Sequence, residues 1–278
     1  MMTALILAVA GVLAAGMVLG WIWQQRVGNA GWVDVFWTFA TGTAAVFGAL
    51  WPLTGDTAQA VRQVLVAALA VLWALRLGLY LRSRVRTRPE DARYAGFRRD
   101  WGTRFQARLF WFLQIQALAA LPLAVAILLA ARIPAPFPRL ADYIALALIA
   151  MAILGAAIAD RQLASFIADP ANAGRVCDRG LWSWSRHPNY FFEFIGWCAW
   201  PVFAFDPAWP AGWFALAAPA MMYWLLVHVS GIPPLERVML ASRGAAYAAY
   251  QARTSAFFPM PPRRMPPPSG PPHQEFRA

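Results

Sequence analysis

Seven stretches of this 278-residue chain each run for roughly 20 residues with few charges, and that pattern limits the fold more than any other feature. A helix of about 20 apolar residues covers the hydrocarbon thickness of a bilayer, and its backbone groups are satisfied internally. The stretches lie at 3–23, 32–52, 60–82, 109–131, 141–161, 189–205 and 212–230. The sixth is short, with Pro188 before it and Pro201 near its end. The sequence therefore predicts an all-α, polytopic membrane protein with about seven transmembrane helices. One integral domain covers 1–258, and a proline-rich, disordered tail covers 259–278. The first stretch lacks the basic leader of a signal peptide, so it reads as a true span.

Composition agrees. The chain is 60% hydrophobic and only 13% charged, with 15 Trp that suit membrane interfaces. A net charge of +11 raises nucleic acid as a partner, but the basic residues lie between the spans, which excludes that reading. Segment 82–108 holds nine Arg against three acids. Segment 161–188 and the tail after 230 are also arginine-rich, whereas Asp56 and Asp206 mark loops poor in positive charge. This bias predicts an outside N-terminus and a cytoplasmic C-terminus, with Arg132 and Arg139 as exceptions. All 24 basic residues are Arg, which excludes a Schiff-base lysine and a lysine-bearing phosphate loop. Cys177 and Cys198 are too far apart along a helix to pair, and His187, His228 and His273 show no ligand spacing, so no metal is expected. Residues 232–250 read as a cytoplasmic or interfacial helix.

Ionisable residues at membrane depth usually face a cavity or a partner. Asp34 falls just inside the second span. It is either a helix N-terminal acid or a carboxylic acid at the mouth of a cavity, kept protonated by desolvation. Asn189 and Glu193 stand at i and i+4 and so share a helix face. Glu193 either pairs with an arginine or, with Asn189, recognises a ligand's donor–acceptor edge. Asp160 ends the fifth span, as a solvated helix end or as a ligand group. Arg76 and Tyr80 share a face of the third span; Arg76 either snorkels or holds an anion such as phosphate. His228 reads as a packing or interfacial residue.

With these residues in place, the chain resembles the bacterial membrane branch of the steroid 5α-reductase family. The likeness is carried by "ADRQLASFIADPANAGRV" at 159–176, "GLWSWSRHPNYFFE" at 180–193 and "GIPPLERVMLASRGAAYAAYQARTSAFFP" at 231–259, with weaker support from "LRLGLY" at 75–80. It implies a seven-helix, NADPH-dependent enzyme. Asn189 and Glu193 would bind the nicotinamide end, Asp160 the nucleotide, and Arg76 the phosphates. Arg175, Arg179 and Arg186 belong to the cytoplasmic, phosphate-binding side, and His187 and Tyr190 to the same cofactor group. Glu236 falls where some relatives carry histidine. Animal members grip the steroid ketone with a Glu and a Tyr. Here the nearest acid is Asp34, the tyrosine position falls on Trp73, and Tyr80 is the candidate substitute. "RHPNY" with "YAAYQARTSAFFP" also resembles the isoprenylcysteine carboxyl methyltransferases, which use S-adenosylmethionine; Glu193 and "TSAFFP" lean toward the reductases.

The resemblance implies hydride transfer from NADPH to the β-carbon of a lipophilic enone, a 3-oxo-Δ4-steroid or similar lipid. The substrate would enter from the bilayer, in contact with membrane lipid, and the cofactor from the cytoplasm. Asp34 would hydrogen-bond the developing oxyanion. The expected location is a bacterial inner membrane.

Overall fold

The computed structural model describes residues 2–87 and 89–263. Most of the expected tail, 264–278, therefore lies outside the described residues, as does His273. The described residues are helical, without a named strand; one isolated parallel bridge joins Ser185 to Ser255. The helices are α1 (Met2–Val27), α2 (Trp32–Leu50), α3 (Thr57–Thr87), α4 (Ala92–Trp101), α5 (Phe105–Arg132), α6 (Leu140–Ala168), α7 (Pro188–Ala204), α8 (Ala217–Trp224), α9 (Ile232–Arg243) and α10 (Ala245–Arg253).

Six helical segments among the described residues are long and apolar enough to cross a membrane. They are α1, α2, α3, the α4–α5 run, α6, and the composite run Pro210–Arg243. The sixth expected stretch, 189–205, forms helix α7, which has only 17 residues and is not one of these six. Pro188 opens it at a position where the missing N–H costs nothing. The composite run is not one regular helix: a 3-10 stretch (Pro210–Leu216) leads into α8, and a π-helical stretch (Leu225–Val229) follows it.

In lipid, helices gain little from hydrophobic burial against each other, so close packing of small residues matters more. α5 is the central helix, packed against α1, α2, α3, α7 and α8; its Leu123–Ala131 segment is almost wholly buried. α6 and α7 form a tight pair because Gly155 leaves room for the Phe192 ring. A Cβ there would lie 2.3 Å from the ring.

The chain shuttles between two ends. At one end, Arg62 is fully buried and donates to the carbonyls of Ile133, Ala135 and Pro136 and to Asp142 (3.2 Å). Arg132 caps the end of α2 through the Gly48 and Trp51 carbonyls, and Arg139 caps α7 through those of Phe203 and Phe205. Cations at helix C-termini satisfy carbonyls that have no intrahelical partner. This explains the two arginines that break the charge pattern: they staple loops. The other end carries the 28–31, 89–91 and 169–187 connections, α9 and α10, and the motifs singled out in the sequence.

Candidate functional site

Glu193 is the anchor of the site. It is buried on α7, and its Oε1 accepts from the indole N–H of Trp73 (2.5 Å) and of Trp197 (3.2 Å). Its Oε2 accepts from Arg76 Nη2 (3.4 Å). One turn earlier on the same face, Asn189 donates from Nδ2 to Asp160 Oδ1 on α6 (3.1 Å), while its own Oδ1 accepts from the Tyr190 backbone (3.0 Å). Asp160 in turn lies within electrostatic reach of Arg76 and Glu193. Arg76, Asp160, Asn189 and Glu193 therefore meet from three helices. Beside them a small cleft, partly open to its surroundings, is walled by Leu69, Trp73, Ile153, Phe192, Trp197 and Trp200.

The neighbouring loop is built to hold α7 in place. Gly180 has φ +61°, and a Cβ there would meet the Gln162 amide at 2.7 Å. Gln162 Oε1 accepts from the Leu181 N–H (2.9 Å), and the Trp182 indole donates to the Ala159 carbonyl (3.0 Å). The loop is then stitched to the chain's last described segment. Ser185 bonds the Phe257 carbonyl, the Tyr250 hydroxyl bonds the Trp182 carbonyl, and Met260 N–H bonds the Trp184 carbonyl. Arg253 pairs with Asp178.

Arg186 and His187 belong to this stitching. Arg186 clamps Glu236 through Nε (2.7 Å) and Nη2 (3.2 Å), and donates from Nη1 to the Gln251 and Thr254 carbonyls. His187 Nε2 lies 3.1 Å from Glu236 Oε1, and Gln251 Nε2 donates to Oε2 (2.7 Å). The structure thus gives Arg186 and Glu236 each other as partners. Burial pushes the His187 imidazole below its ordinary pKa, outweighing the hydrogen bond to Glu236.

Asp34 heads a separate polar group. Its Oδ2 accepts from Arg93 (2.7 Å) and its Oδ1 from the Tyr94 hydroxyl (2.7 Å). Arg93 also binds Asp91, which pairs with Arg84. Both carboxylate oxygens of Asp34 are therefore engaged within the protein, by Arg93 and Tyr94. Tyr190 connects the two groups: it lies one residue from Asn189 and within electrostatic reach of Arg93, Arg84, Tyr80 and Asp34. Tyr80 is 37% exposed. Arg175 is exposed, and Arg179 stacks over Phe166 and donates to Asn172 (3.2 Å).

The sequence reading missed Arg93, Tyr94 and Trp197, and treated Trp73 only as a lost tyrosine. Tyr94 had a weak signal: a tyrosine beside arginines in an otherwise polar connection. Trp197 stands at i+4 from Glu193 and was hidden among many tryptophans. Among the described residues no cluster of His, Cys, Asp or Glu forms a metal site. A family model described as "Protein of unknown function (DUF1295)" matches residues 20–254. No curated protein and no solved structure matches the chain.

Proposed function

The chain belongs to the DUF1295 family, and from that premise we propose that it is an NADPH-dependent membrane reductase that saturates the C=C bond of a lipophilic enone, such as a 3-oxo-Δ4-steroid. The observation that carries the reading is the meeting of Arg76, Asp160, Asn189 and Glu193 beside an apolar cleft. An apolar pocket with a few convergent polar groups is what a small-molecule site requires. In this reading α7 is the seventh crossing, the motif-bearing end faces the cytoplasm of a bacterial inner membrane, and the N-terminus lies outside.

The donor set suits the cofactor. Arg76 makes a single 3.4 Å bond to Glu193 and keeps further N–H groups for a phosphate. Asn189 and Glu193 offer an amide and a carboxylate to a carboxamide, and Asp160 offers an acceptor for a nucleotide hydroxyl. Exposed Arg175 and Arg179 suit the outer phosphates. NADPH, when bound, supplies the hydride. The protein orients and dries the site. The substrate's ketone oxygen gains negative charge during reduction and is stabilised at the Asp34 group, where Arg93 is the donor and Asp34, itself held by the Tyr94 hydroxyl, fixes it. The α-carbon takes its proton from water.

The test is thermal stabilisation of the purified protein in detergent by NADPH, NADH and S-adenosylmethionine. NADPH should raise the melting temperature, and Glu193→Ala should weaken the effect. Stabilisation by S-adenosylmethionine alone would replace the reductase reading with a methyltransferase one.

A further inference from the structure

We infer that Trp73 is a positioning residue: it fixes Glu193 for the nicotinamide end of the cofactor and contributes only an apolar ring to the cleft. This rests on the reductase reading above. Trp73 and Arg76 stand at i and i+3 on α3, and Glu193 and Trp197 at i and i+4 on α7, so each pair shares one face of its helix. The two faces meet side chain to side chain. Trp73 Nε1 donates to Glu193 Oε1 at 2.5 Å, and Trp197 Nε1 to the same oxygen at 3.2 Å. The two indoles pack edge to face at 5.1 Å, and Arg76 reaches the second oxygen.

This bridge spans a gap. α3 packs chiefly against α2 and α5, and α7 against α5, α6 and α8, but α3 and α7 do not pack along their length. The space between them is the cleft. A glutamate on the edge of such a space has several rotamers open to it, and fixing one costs entropy unless neighbours hold it. Trp73 applies that constraint from α3, across the cleft, whereas Trp197 stands on the same helix as Glu193. Its N–H is spent on Glu193. What remains toward the cleft is the ring, which with Ile153, Phe192 and Trp200 favours a flat apolar molecule.

The experiment compares two ligands on the full-length protein in detergent, by titration calorimetry. One is NADPH; the other is 2′-phospho-ADP-ribose, which lacks the nicotinamide. Trp73→Phe keeps the ring and removes the N–H. It should weaken NADPH about tenfold, the size of one hydrogen bond to a charged group, and leave the fragment unchanged. Trp73→Tyr, which returns a donor to the ring, should recover part of the loss and serves also if the Phe variant folds poorly. Equal NADPH affinity in wild type and Trp73→Phe overturns the inference alone. Equal loss for NADPH and the fragment also overturns it, since that marks a general packing defect. A wild-type protein that binds the fragment and NADPH no better than buffer removes the reductase reading and this inference together.

Discussion

Arg186 spends four hydrogen bonds on Glu236, Gln251 and Thr254, whereas Arg76 makes one to Glu193. The first is braced by its partners; under the proposed function the second keeps further N–H groups for a phosphate. Nothing in the local run "SRHPNY" separates these roles, because the partner of Arg186 lies 50 residues further along the chain. The i, i+4 pairing of Asn189 and Glu193 was readable, since it needs only helix geometry. The Trp73–Glu193 bond was not, because it joins residues 120 positions apart. Two predictions belong at this scale. Asp34→Asn removes the charge that holds Arg93 and Tyr94. In steady-state kinetics it should lower kcat at least tenfold while changing NADPH affinity less than about twofold, the pattern of a group that acts on the transition state. His187 gives a pH effect. Its folded pKa is lowered by burial, so the unfolded chain takes up the proton first. This contribution is complete above about pH 6.5 and is lost as pH falls through that value toward the folded one. Melting temperature should drop on acidification, and His187→Gln should flatten that drop.

The elements were found more fully than their ends. The length of the apolar runs located the long helices of the described residues, because a bilayer-length apolar run admits few alternatives. It missed that α3 extends to Thr87 and α6 to Ala168. Both helices run beyond the apolar stretch into polar sequence, where hydropathy stops marking a helix. Its stretch at 212–230 falls within the single candidate crossing Pro210–Arg243, but it did not register the 3-10 stretch before α8 and the π-helical one after it. The α6–α7 pair depends on a residue whose lack of a side chain is its function. Gly155→Val would push a branched side chain into the Phe192 ring. Overpacking of this kind costs about 2 kcal/mol. The variant should melt lower than wild type. It should also bind NADPH more weakly, because Asp160 and Asn189 sit on the two helices being forced apart.

Over the whole molecule, the two ends differ in kind. At one, Arg62, Arg132 and Arg139 are consumed by backbone carbonyls and Asp142; at the other, Arg76 makes one long bond to Glu193 and Arg175 is exposed. Charge counting registered this difference as topology alone, since it cannot tell a stapling arginine from a free one. The polar groups of the proposed site gather at the second end, next to a cleft whose walls are tryptophan and aliphatic side chains. Under the proposed function, a charged cofactor would reach that arrangement from water and an apolar substrate from lipid. The most direct measurement follows the hydride itself. The purified protein is incubated with NADPH deuterated at the transferable position and a 3-oxo-Δ4 lipid, and the product is analysed by mass spectrometry and NMR. The account predicts a saturated ketone with one deuterium on the former β-carbon. Recovery of unchanged enone and unoxidised cofactor across a panel of enone lipids, from protein that is folded and stabilised by neither, would contradict it.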